Sequence, residues 1–290
     1  MSLPPDGSDG GLHAPDDRAC IDVPVWRWRQ SGSLGYVVDQ DRLAEEIPIA
    51  ILYDDTPYAV MLGTPRDLED FALGFSVTEG IVRKPEDILC CTTIEQPEGV
   101  ELRVELASGV AEAATWRERS LAGRTGCGLC GVRALESAVR WPAPVADTLR
   151  LTPADVDAAL ARLPDGQDLH AVTGAVHAAA WVLRSGELFA VREDVGRHNA
   201  LDKLLGAALR GGVDVAGGFA LVSSRASYEM VQKAAQCGVQ LLVAVSAPTA
   251  MARRVAQSSG LTLVAFSRAG RHTVYTHPHR LGCLAGANDT

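Results

Sequence analysis

The sequence predicts an α/β protein in which a larger C-terminal domain follows a smaller α+β region. From residue 151 onward, apolar runs alternate with amphipathic helical segments. This pattern indicates a largely parallel sheet with helices on both faces. The preceding half is richer in strands, and the proline-rich stretch 141–153 separates the two as a linker. We therefore predict an N-terminal region over 19–150 and a C-terminal domain over 151–290.

Composition and charge limit the classes of function. The chain has 290 residues, of which 47% are hydrophobic and 22% charged, so it can bury a substantial core. Its formal net charge of −9 opposes nucleic-acid binding, because a phosphate backbone requires a cationic face. No apolar run is long enough to span a bilayer, and the N-terminus has no secretory-signal pattern. We expect a cytoplasmic protein without nucleic-acid or membrane partners.

The first part of the chain is predicted to contain a disordered tail followed by several strands. Residues 1–18 are rich in Gly, Pro, Asp and Ser, which predicts a disordered tail. Residues 47–55 and 57–63 predict two strands around a turn. Residues 88–93 predict a further strand that is buried, and residues 100–107 a strand that alternates between core and solvent.

A helix is predicted between these strands, over residues 64–80. Thr64 is expected to cap it, with Pro65 at its first position and Asp67 completing a capping box. Apolar residues then recur at helical spacing until Gly80, which is expected to end the helix.

Cys127 and Cys130 form a C-x-x-C, the one constellation that we find among seven cysteines. A helix is predicted from about Gly131, and its positive end, together with Arg124 and Arg133, would favour a thiolate. The surrounding glycines indicate a loop of little bulk and high freedom. A reactive thiolate is our interpretation, with two unreactive thiols as the alternative. A thioredoxin-like site would usually follow a first βαβ strand, whereas a polar segment precedes this motif.

Zinc is the other interpretation of a C-x-x-C. A structural site needs a second ligand pair, which neither Cys90-Cys91 nor a spaced histidine pair supplies. A zinc deaminase needs H-x-E before P-C-x-x-C. Here Ala179 stands two residues after His177, where the glutamate would be, and the C-x-x-C precedes the histidine. We therefore predict no metal ligands.

The C-terminal half alternates helices and strands. Thr152 and Pro153 open a helix that Asp155 supports in its first turn, and a hairpin follows across Ser185 and Gly186. Helices are then predicted over 198–210, 227–236 and 249–257, and strands over 219–224, 240–246 and 261–267.

Several motifs lie where a predicted strand feeds a helix, a position at which α/β sheets bind ligands. After the hairpin come Arg197, His198 and Lys203, which we expect to meet phosphate. After the next strand comes Arg225, with Ser227 as a helix cap, and the Ser246–Thr249 segment repeats this form. Ordinary capping explains each motif alone, and a solvated charged face is the alternative for the first. Three on one sheet edge would favour an anion site.

The last strand ends in a further basic motif. Arg268, Gly270 and Arg271 follow it, and their charge suits a nucleotide phosphate or a guanine-ribose contact.

These motifs together resemble the FdhD family of formate dehydrogenase accessory sulfurtransferases. The resemblance runs from about residue 45 onward, and the N-terminal tail lies outside it. It rests on six blocks in order: TPRDLEDFALGFSVTEGI, GCGLCG, REDVGRHNALDK, SSRASYEMVQKAA, SAPTAMA and FSRAGRHTVYTH. One small departure is Ala175, where the family often has a second glycine.

The resemblance implies a function and a fold. Family members accept sulfur from a cysteine desulfurase as a persulfide and transfer it to the molybdenum or tungsten of a bis(guanine dinucleotide) pterin cofactor. This precedes cofactor insertion into formate dehydrogenase. The implied fold is a cytidine-deaminase-like three-layer α/β domain with a smaller N-terminal region, in a homodimer.

The resemblance also implies site residues. Cys127 matches the persulfide carrier, and Cys130 matches its helper or alternative acceptor. The cofactor-binding stretch falls on Phe266, Ser267, Arg268, Ala269, Gly270 and Arg271. We add Arg225 and His198 from the strand-end motifs. A sulfurtransferase is thus our hypothesis, and its alternatives are a non-catalytic guanine-nucleotide or molybdenum-cofactor chaperone and, less favoured, a zinc deaminase-like enzyme.

Overall fold

The structure is a computed structural model, and it describes residues 18–29, 35–110 and 139–282. The predicted tail lies outside these residues except for Arg18. The C-x-x-C with Cys127 and Cys130, and nearly all of the helix predicted after it, also lie outside them.

The chain begins with a two-stranded antiparallel ribbon that the sequence patterns did not reveal. It consists of β1 (Cys20–Arg29) and β2 (Gly35–Ala44), paired from Cys20 opposite Ala44 to Arg29 opposite Gly35. We call this ribbon the arm. Its base packs against the body of the protein through a small buried cluster that includes Leu169 and Val176.

The N-terminal region contains a four-stranded sheet. Its strands are β3 (Ile47–Tyr53), β4 (Thr56–Gly63), β5 (Ile88–Gln96) and β6 (Gly99–Leu106), in the order β4-β3-β6-β5. The predicted pair β3 and β4 is confirmed, as is the alternating burial of β6. The prediction of a buried strand over 88–93 is wrong. This strand lies at the sheet edge, and both Leu89 and Cys90 are exposed there.

The first helix starts later than its sequence suggests. Helix α1 spans Leu68–Thr78, and Asp67 precedes it in a left-handed conformation with φ 54°. The predicted cap at Thr64 is wrong because the C-terminal domain engages this residue. Its backbone N–H donates to Asp194 Oδ2 at 3.0 Å, and its hydroxyl accepts from the Val195 N–H at 3.2 Å. Gly80, with φ 72°, follows the helix end as predicted.

The C-terminal domain is built on a six-stranded sheet in the order β12-β11-β10-β9-β7-β8. The strands are β7 (His177–Leu183), β8 (Leu188–Asp194), β9 (Gly218–Val222), β10 (Leu241–Ala244), β11 (Thr262–Arg268) and β12 (Arg271–Val274). Only β9, β10 and β11 form parallel pairs in it, whereas β7 and β12 pair antiparallel with their neighbours. The prediction of a largely parallel sheet is therefore wrong. Tight turns, such as the one at Gly186, join β7 to β8 and β11 to β12, and a tight turn between paired strands makes them antiparallel.

Helices cover this sheet on both faces, as predicted. Helices α4 (Arg197–Arg210), α5 (Tyr228–Gln236) and α6 (Ala250–Ser259) share one core with it. Helix α2 (Pro153–Arg162) packs on the other face with the extended segment before it, and the short α3 (Asp168–Thr173) follows. Thr152 caps α2, and its N–H donates to Asp155 Oδ2 at 2.7 Å, which confirms that prediction.

The segment 141–153 has little regular structure, but it is not a solvated linker. Leu149 and Leu151 are buried against the C-terminal sheet, and the backbone N–H groups of Thr148 and Leu149 donate to Gln240. The division into two domains at residue 150 stays a prediction.

Helices α1 and α4 cross so closely that their backbones are in contact. A Cβ added at Gly74 would lie 1.8 Å from the Asp202 carbonyl oxygen, and one at Gly206 would lie 1.9 Å from that of Asp70. Only glycine fits at such a crossing. The N-terminal region is therefore held directly against the helix that carries the REDVGRHNALDK motif.

Candidate functional site

Several strands of the C-terminal sheet end on one edge. Because β8, β9, β10 and β11 run in the same direction, the motifs that follow them share this edge, where the antiparallel β7 begins. Hydrogen bonds join neighbouring strand ends. The Ser246 N–H donates to the Ser224 carbonyl at 3.3 Å, and the Phe266 N–H donates to the Ser246 carbonyl at 3.1 Å. We call this row the strand-end edge, and it brings together the three predicted strand-to-helix motifs.

An open cleft of about 350 Å³ lies at one end of the strand-end edge. Its lining residues are Phe266, Arg268, Arg271, His272 and Thr273. They come from the end of β11 and from β12, which a tight turn joins at Gly270, with φ 75°. This volume is near the lower end of the roughly 300–1,000 Å³ of small-molecule sites.

Phe266 has an unusual backbone at this cleft. Its φ is 51°, and its side chain is 51% exposed. A bulky residue rarely adopts this left-handed region, so surrounding contacts must hold it there. A register irregularity between Ala265 and Arg268 and the hydrogen bond to Ser246 supply that support. The result is an aromatic ring presented to solvent beside two arginines.

The two cleft arginines differ in their contacts. Arg268 donates to the backbone carbonyls of Val245 and Ser267, which fixes its guanidinium at the end of β10. Arg271 is exposed and makes no hydrogen bond or ion pair with the residues that the structure describes. Ser267, which precedes Arg268, is fully buried, so its side chain does not line the cleft. Ala269 and Gly270 are exposed in the turn.

A second group of ionisable residues lies where β8 and β9 lead into helices. His198 Nε2 in α4 is 2.8 Å from Glu229 Oε2 in α5. His177 begins β7 at the same edge. Burial, and then the charges of Arg197 and His198, lower its pKa. Arg225 is exposed after β9, and its guanidinium makes no hydrogen bond or ion pair with any described residue.

Lys203 does not belong to this exposed group, which corrects the expectation that it meets phosphate. Its side chain is fully buried, and its Nζ lies 2.7 Å from Asp194 Oδ2 and 2.9 Å from the Thr64 carbonyl oxygen. Asp194 Oδ1 accepts further hydrogen bonds from Gly196 and Asn199. A buried lysine that is fully paired within the protein is structural, and it links α4 to the N-terminal region.

Glu193 is a buried carboxyl next to this network. It accepts the backbone N–H groups of Leu169 at 2.8 Å and His170 at 2.9 Å. Burial, followed by the hydrogen bond that the protonated Glu193 carboxyl donates to Asp168, raises the pKa of Glu193 to about 7. Asp168 keeps its charge because Arg66 donates to it at 3.0 Å.

The described cysteines include two thiols in environments that disfavour the thiolate. Burial, followed by the charge of Glu69, raises the pKa of Cys91 to about 11. Burial, followed by the charge of Asp202, raises that of Cys237 to about 12. Thiols of this kind are weak nucleophiles at neutral pH. A sulfur-carrying role would therefore have to fall on other cysteines.

The structure thus groups some predicted site residues and separates others. Phe266, Arg268 and Arg271 meet at the cleft, while Arg225 and His198 lie at other strand ends along the same edge. Sequence reasoning missed His272 and Thr273 as cleft residues, although both lie in the quoted FSRAGRHTVYTH block. It also missed Glu229, for which the signal was its place in the first turn of a capped helix.

The described residues contain neither a cluster of metal-ligating side chains nor a membrane-spanning helix. Within 18–29, 35–110 and 139–282, no group of three or more His, Cys, Asp or Glu side chains is placed to hold a metal ion. In the same residues, no helix combines the length and apolarity required to cross a membrane.

The sheet, its two helical layers and its strand-end cleft define an α/β protein with an open cleft outside the carboxyl ends of its strands, where sheets of this kind bind ligands. The protein-family model of the FdhD/NarQ family matches residues 44–282, and this chain belongs to that family.

Sequence and structural similarity to known proteins supports this family assignment. The chain is 50% identical over 257 residues to the sulfur carrier protein FdhD of Cupriavidus necator, covering 89% of this chain and 88% of that one. It is 48% identical over 268 residues to the protein of the same name from Bordetella petrii, with 92% and 96% covered. A crystal structure of a protein assigned as a formate dehydrogenase accessory protein from Desulfotalea psychrophila matches with a TM-score of 0.70 and 26% identity, covering 91% and 99% of the two chains.

Proposed function

We propose that this protein is a sulfur carrier and sulfurtransferase that serves formate dehydrogenase. It accepts sulfur from a cysteine desulfurase as a persulfide on Cys127, with Cys130 as helper, and transfers it to the metal of a bis(guanine dinucleotide) molybdenum cofactor. The named relatives from Cupriavidus necator and Bordetella petrii support sulfur carriage. The protein from Desulfotalea psychrophila supports the link to formate dehydrogenase.

The observation that carries this proposal is the strand-end cleft. An exposed aromatic ring at Phe266 can stack on a guanine base, and the unpaired guanidinium of Arg271 can bind a phosphate. His272 adds a second ring at the same cleft. For a protein of net charge −9, such a local group of cations is needed to hold a polyanion. The cleft volume suits one nucleotide end of the cofactor rather than the whole.

The first chemical step requires a thiolate. The Cys127 thiolate attacks the terminal sulfur of the donor's persulfide, a new S–S bond forms, and the donor's cysteine leaves as a thiolate. No oxidant is needed, because the sulfur moves between two thiols. The cargo then supplies the metal that receives this sulfur.

Three finer features belong to the same proposal. The order β8-β7-β9-β10-β11, with β7 antiparallel to its neighbours and helices on both faces, supports a cytidine-deaminase-like three-layer fold. We further propose that the protein is a homodimer and that it acts in the cytoplasm, where thiols are kept reduced.

Mass spectrometry after incubation with a cysteine desulfurase and cysteine tests the carrier assignment. We expect an adduct of about 32 dalton, roughly one sulfur atom, on Cys127 of the wild-type chain. Cys127→Ala should lose the adduct at this position and fail to activate formate dehydrogenase. Cys90→Ala is the matched control, because Cys90 is an exposed thiol elsewhere in the chain. Full activation by Cys127→Ala would show that the carrier is assigned wrongly.

A second candidate function is a non-catalytic guanine-nucleotide or cofactor-binding chaperone. It is favoured by the cleft itself, because no cysteine is among the described residues that line it. Retained formate dehydrogenase maturation in Cys127→Ala with Cys130→Ala, together with intact nucleotide binding, would select this alternative.

A further inference from the structure

The arm presents an apolar face to solvent at its outer end. Trp26 pairs with Val38 and Trp28 with Tyr36 across the two strands, so all four side chains project from the same face. Their exposed fractions are 67% for Trp26, 67% for Val38, 54% for Trp28 and 72% for Tyr36. We call these four residues the aromatic face.

This exposure is unusual for a ribbon of two strands. Such a ribbon is only marginally stable in water unless a further surface covers one side. Among the residues that the structure describes, the buried cluster that covers the arm lies at its base, where Cys20 and Ala44 adjoin it. The aromatic face lies at the opposite end of both strands. A cluster of large apolar side chains left outside the core in this way indicates an interaction surface.

The charges of the arm restrict what can cover it. Arg27 lies 2.9 Å from Asp39 and 3.0 Å from Asp41, on the face opposite the aromatic residues. Arg42 pairs with Asp22 at 2.7 Å nearer the base. The four residues of the aromatic face carry no charge, and the charged residues named beside it are paired within the arm. Across a two-fold axis the same patch meets itself, so an uncharged face brings no like charges together near the axis.

The available area also suits a second copy. Aromatic side chains bury roughly 150–250 Å² each, so the three exposed rings offer on the order of 400 Å² per arm. Two arms with Val38 and the surrounding edges then approach the roughly 1,000 Å² that a specific interface requires. The remaining surface, at a net charge of −9 per chain, repels a second copy. An uncharged face that projects on an arm is well placed to overcome that repulsion.

We propose that the arm is the interface between two copies of this chain, packed through their aromatic faces. The arm ends at Ala44, where the match to the FdhD/NarQ family model begins, so it lies outside the stretch that carries the shared cleft. The inference rests on the homodimer proposed above and is independent of sulfur transfer.

Light scattering coupled to size-exclusion chromatography of the full chain tests this inference. We expect the wild type at twice the monomer mass of 30.7 kDa, and the variant Trp26→Ser with Trp28→Ser at the monomer mass. The matched control is Trp141→Ser, because Trp141 is 56% exposed in the extended segment before α2. It should keep twice the monomer mass. Far-UV circular dichroism checks that all three chains are folded.

Three outcomes would overturn the inference. A wild type at monomer mass across micromolar concentrations refutes the dimer and the arm interface together. A double variant that stays at twice the monomer mass refutes the arm alone and leaves the dimer to another surface. A monomeric wild type whose double variant loses co-purification with formate dehydrogenase would assign the aromatic face to the recipient enzyme.

Discussion

The helix interface and the strand-end edge use charged residues in opposite ways. Between α1, α4 and α5, Lys233 Nζ is buried within 3.1 Å of acceptor oxygens from Thr78, Glu79 and Asp202. At the strand-end edge, Arg225 and Arg271 are exposed and make no ion pair with the residues that the structure describes. In the first region the cation joins two parts of the chain. In the second the cations are exposed to solvent, which is consistent with the ligand role proposed for them.

This difference shows why a charged motif does not reveal its own role. REDVGRHNALDK places Lys203 in the buried interface and His198 at the strand-end edge, although the two lie in the same helix. A helix puts residues five apart on different faces, so one motif can serve both regions. Burial decides which charges pair within the protein and which remain accessible to solvent.

The largest effect is expected from breaking the buried interface. Burial alone would lower the pKa of Lys233, but Asp202 and Glu79 outweigh it and hold this pKa above its usual range. In Lys233→Met, Arg140 would still lie 3.4 Å from Glu79. The substitution would remove the cation that lies 2.9 Å from the buried Asp202 carboxylate, so we expect a loss of about 3–5 kcal/mol in the free energy of unfolding. Urea unfolding measures this loss.

The control for this variant is Arg150→Met, because Arg150 is half-exposed and pairs with an equally exposed Asp147 at 2.9 Å. Its unfolding midpoint should stay close to that of the wild type. Equal losses in the two variants would contradict the distinction between buried and exposed charges.

A smaller effect is expected from the pH dependence of Glu193. Its pKa in the folded chain is about 7, above its ordinary value of 4.5, so between these values the native state keeps a proton that the unfolded state releases. The free energy of unfolding should therefore fall as pH rises through this window. We expect the wild type to lose about 2 kcal/mol more than Glu193→Gln.

Urea unfolding at a series of pH values measures this difference, and subtracting the two curves removes the contribution of other groups. Glu187→Gln, at an exposed position of the neighbouring turn, should follow the wild type. Parallel curves for wild type and Glu193→Gln would contradict the raised pKa.

The smallest effect is expected from substitutions at the cleft. They should change the free energy of ligand binding and leave the free energy of unfolding unchanged. Arg271→Ala should weaken binding of guanosine diphosphate about tenfold, or ~1.4 kcal/mol, and leave the free energy of unfolding unchanged. Phe266→Gly should also weaken binding without loss of stability, because glycine readily adopts the φ of 51°. Isothermal titration calorimetry measures both affinities. Arg253→Ala, an exposed arginine on α6, is the control, and equal weakening there would point to general attraction of anions.

Much of the fold follows from periodicity. The helix over α4 and the strands β3, β4, β7 and β8 were predicted because apolar residues recur at helical or alternating spacing. The β7–β8 hairpin was predicted correctly, whereas the antiparallel pairs β7–β9 and β11–β12 were not, because a buried apolar run looks alike in parallel and antiparallel neighbours. The arm was missed because its apolar residues occupy both faces and the core covers only its base.

Some features of the candidate site could likewise be predicted from the sequence, and others could not. The basic character of the stretch from Phe266 to Arg271 is visible in the sequence, and so is its place after a strand. The burial of Ser267 and the positive φ of Phe266 are not, because both depend on the irregular pairing of β11 with β12.

The sequence alone determined the family, the order of helices and strands in the C-terminal domain, and the motifs at the strand ends, because these depend on local spacing and residue type. Tertiary structure alone decided that Lys203 is internal and Arg271 external, and that Glu229 meets His198. These outcomes depend on which distant segments pack together and exclude water. A local sequence pattern does not specify such long-range packing.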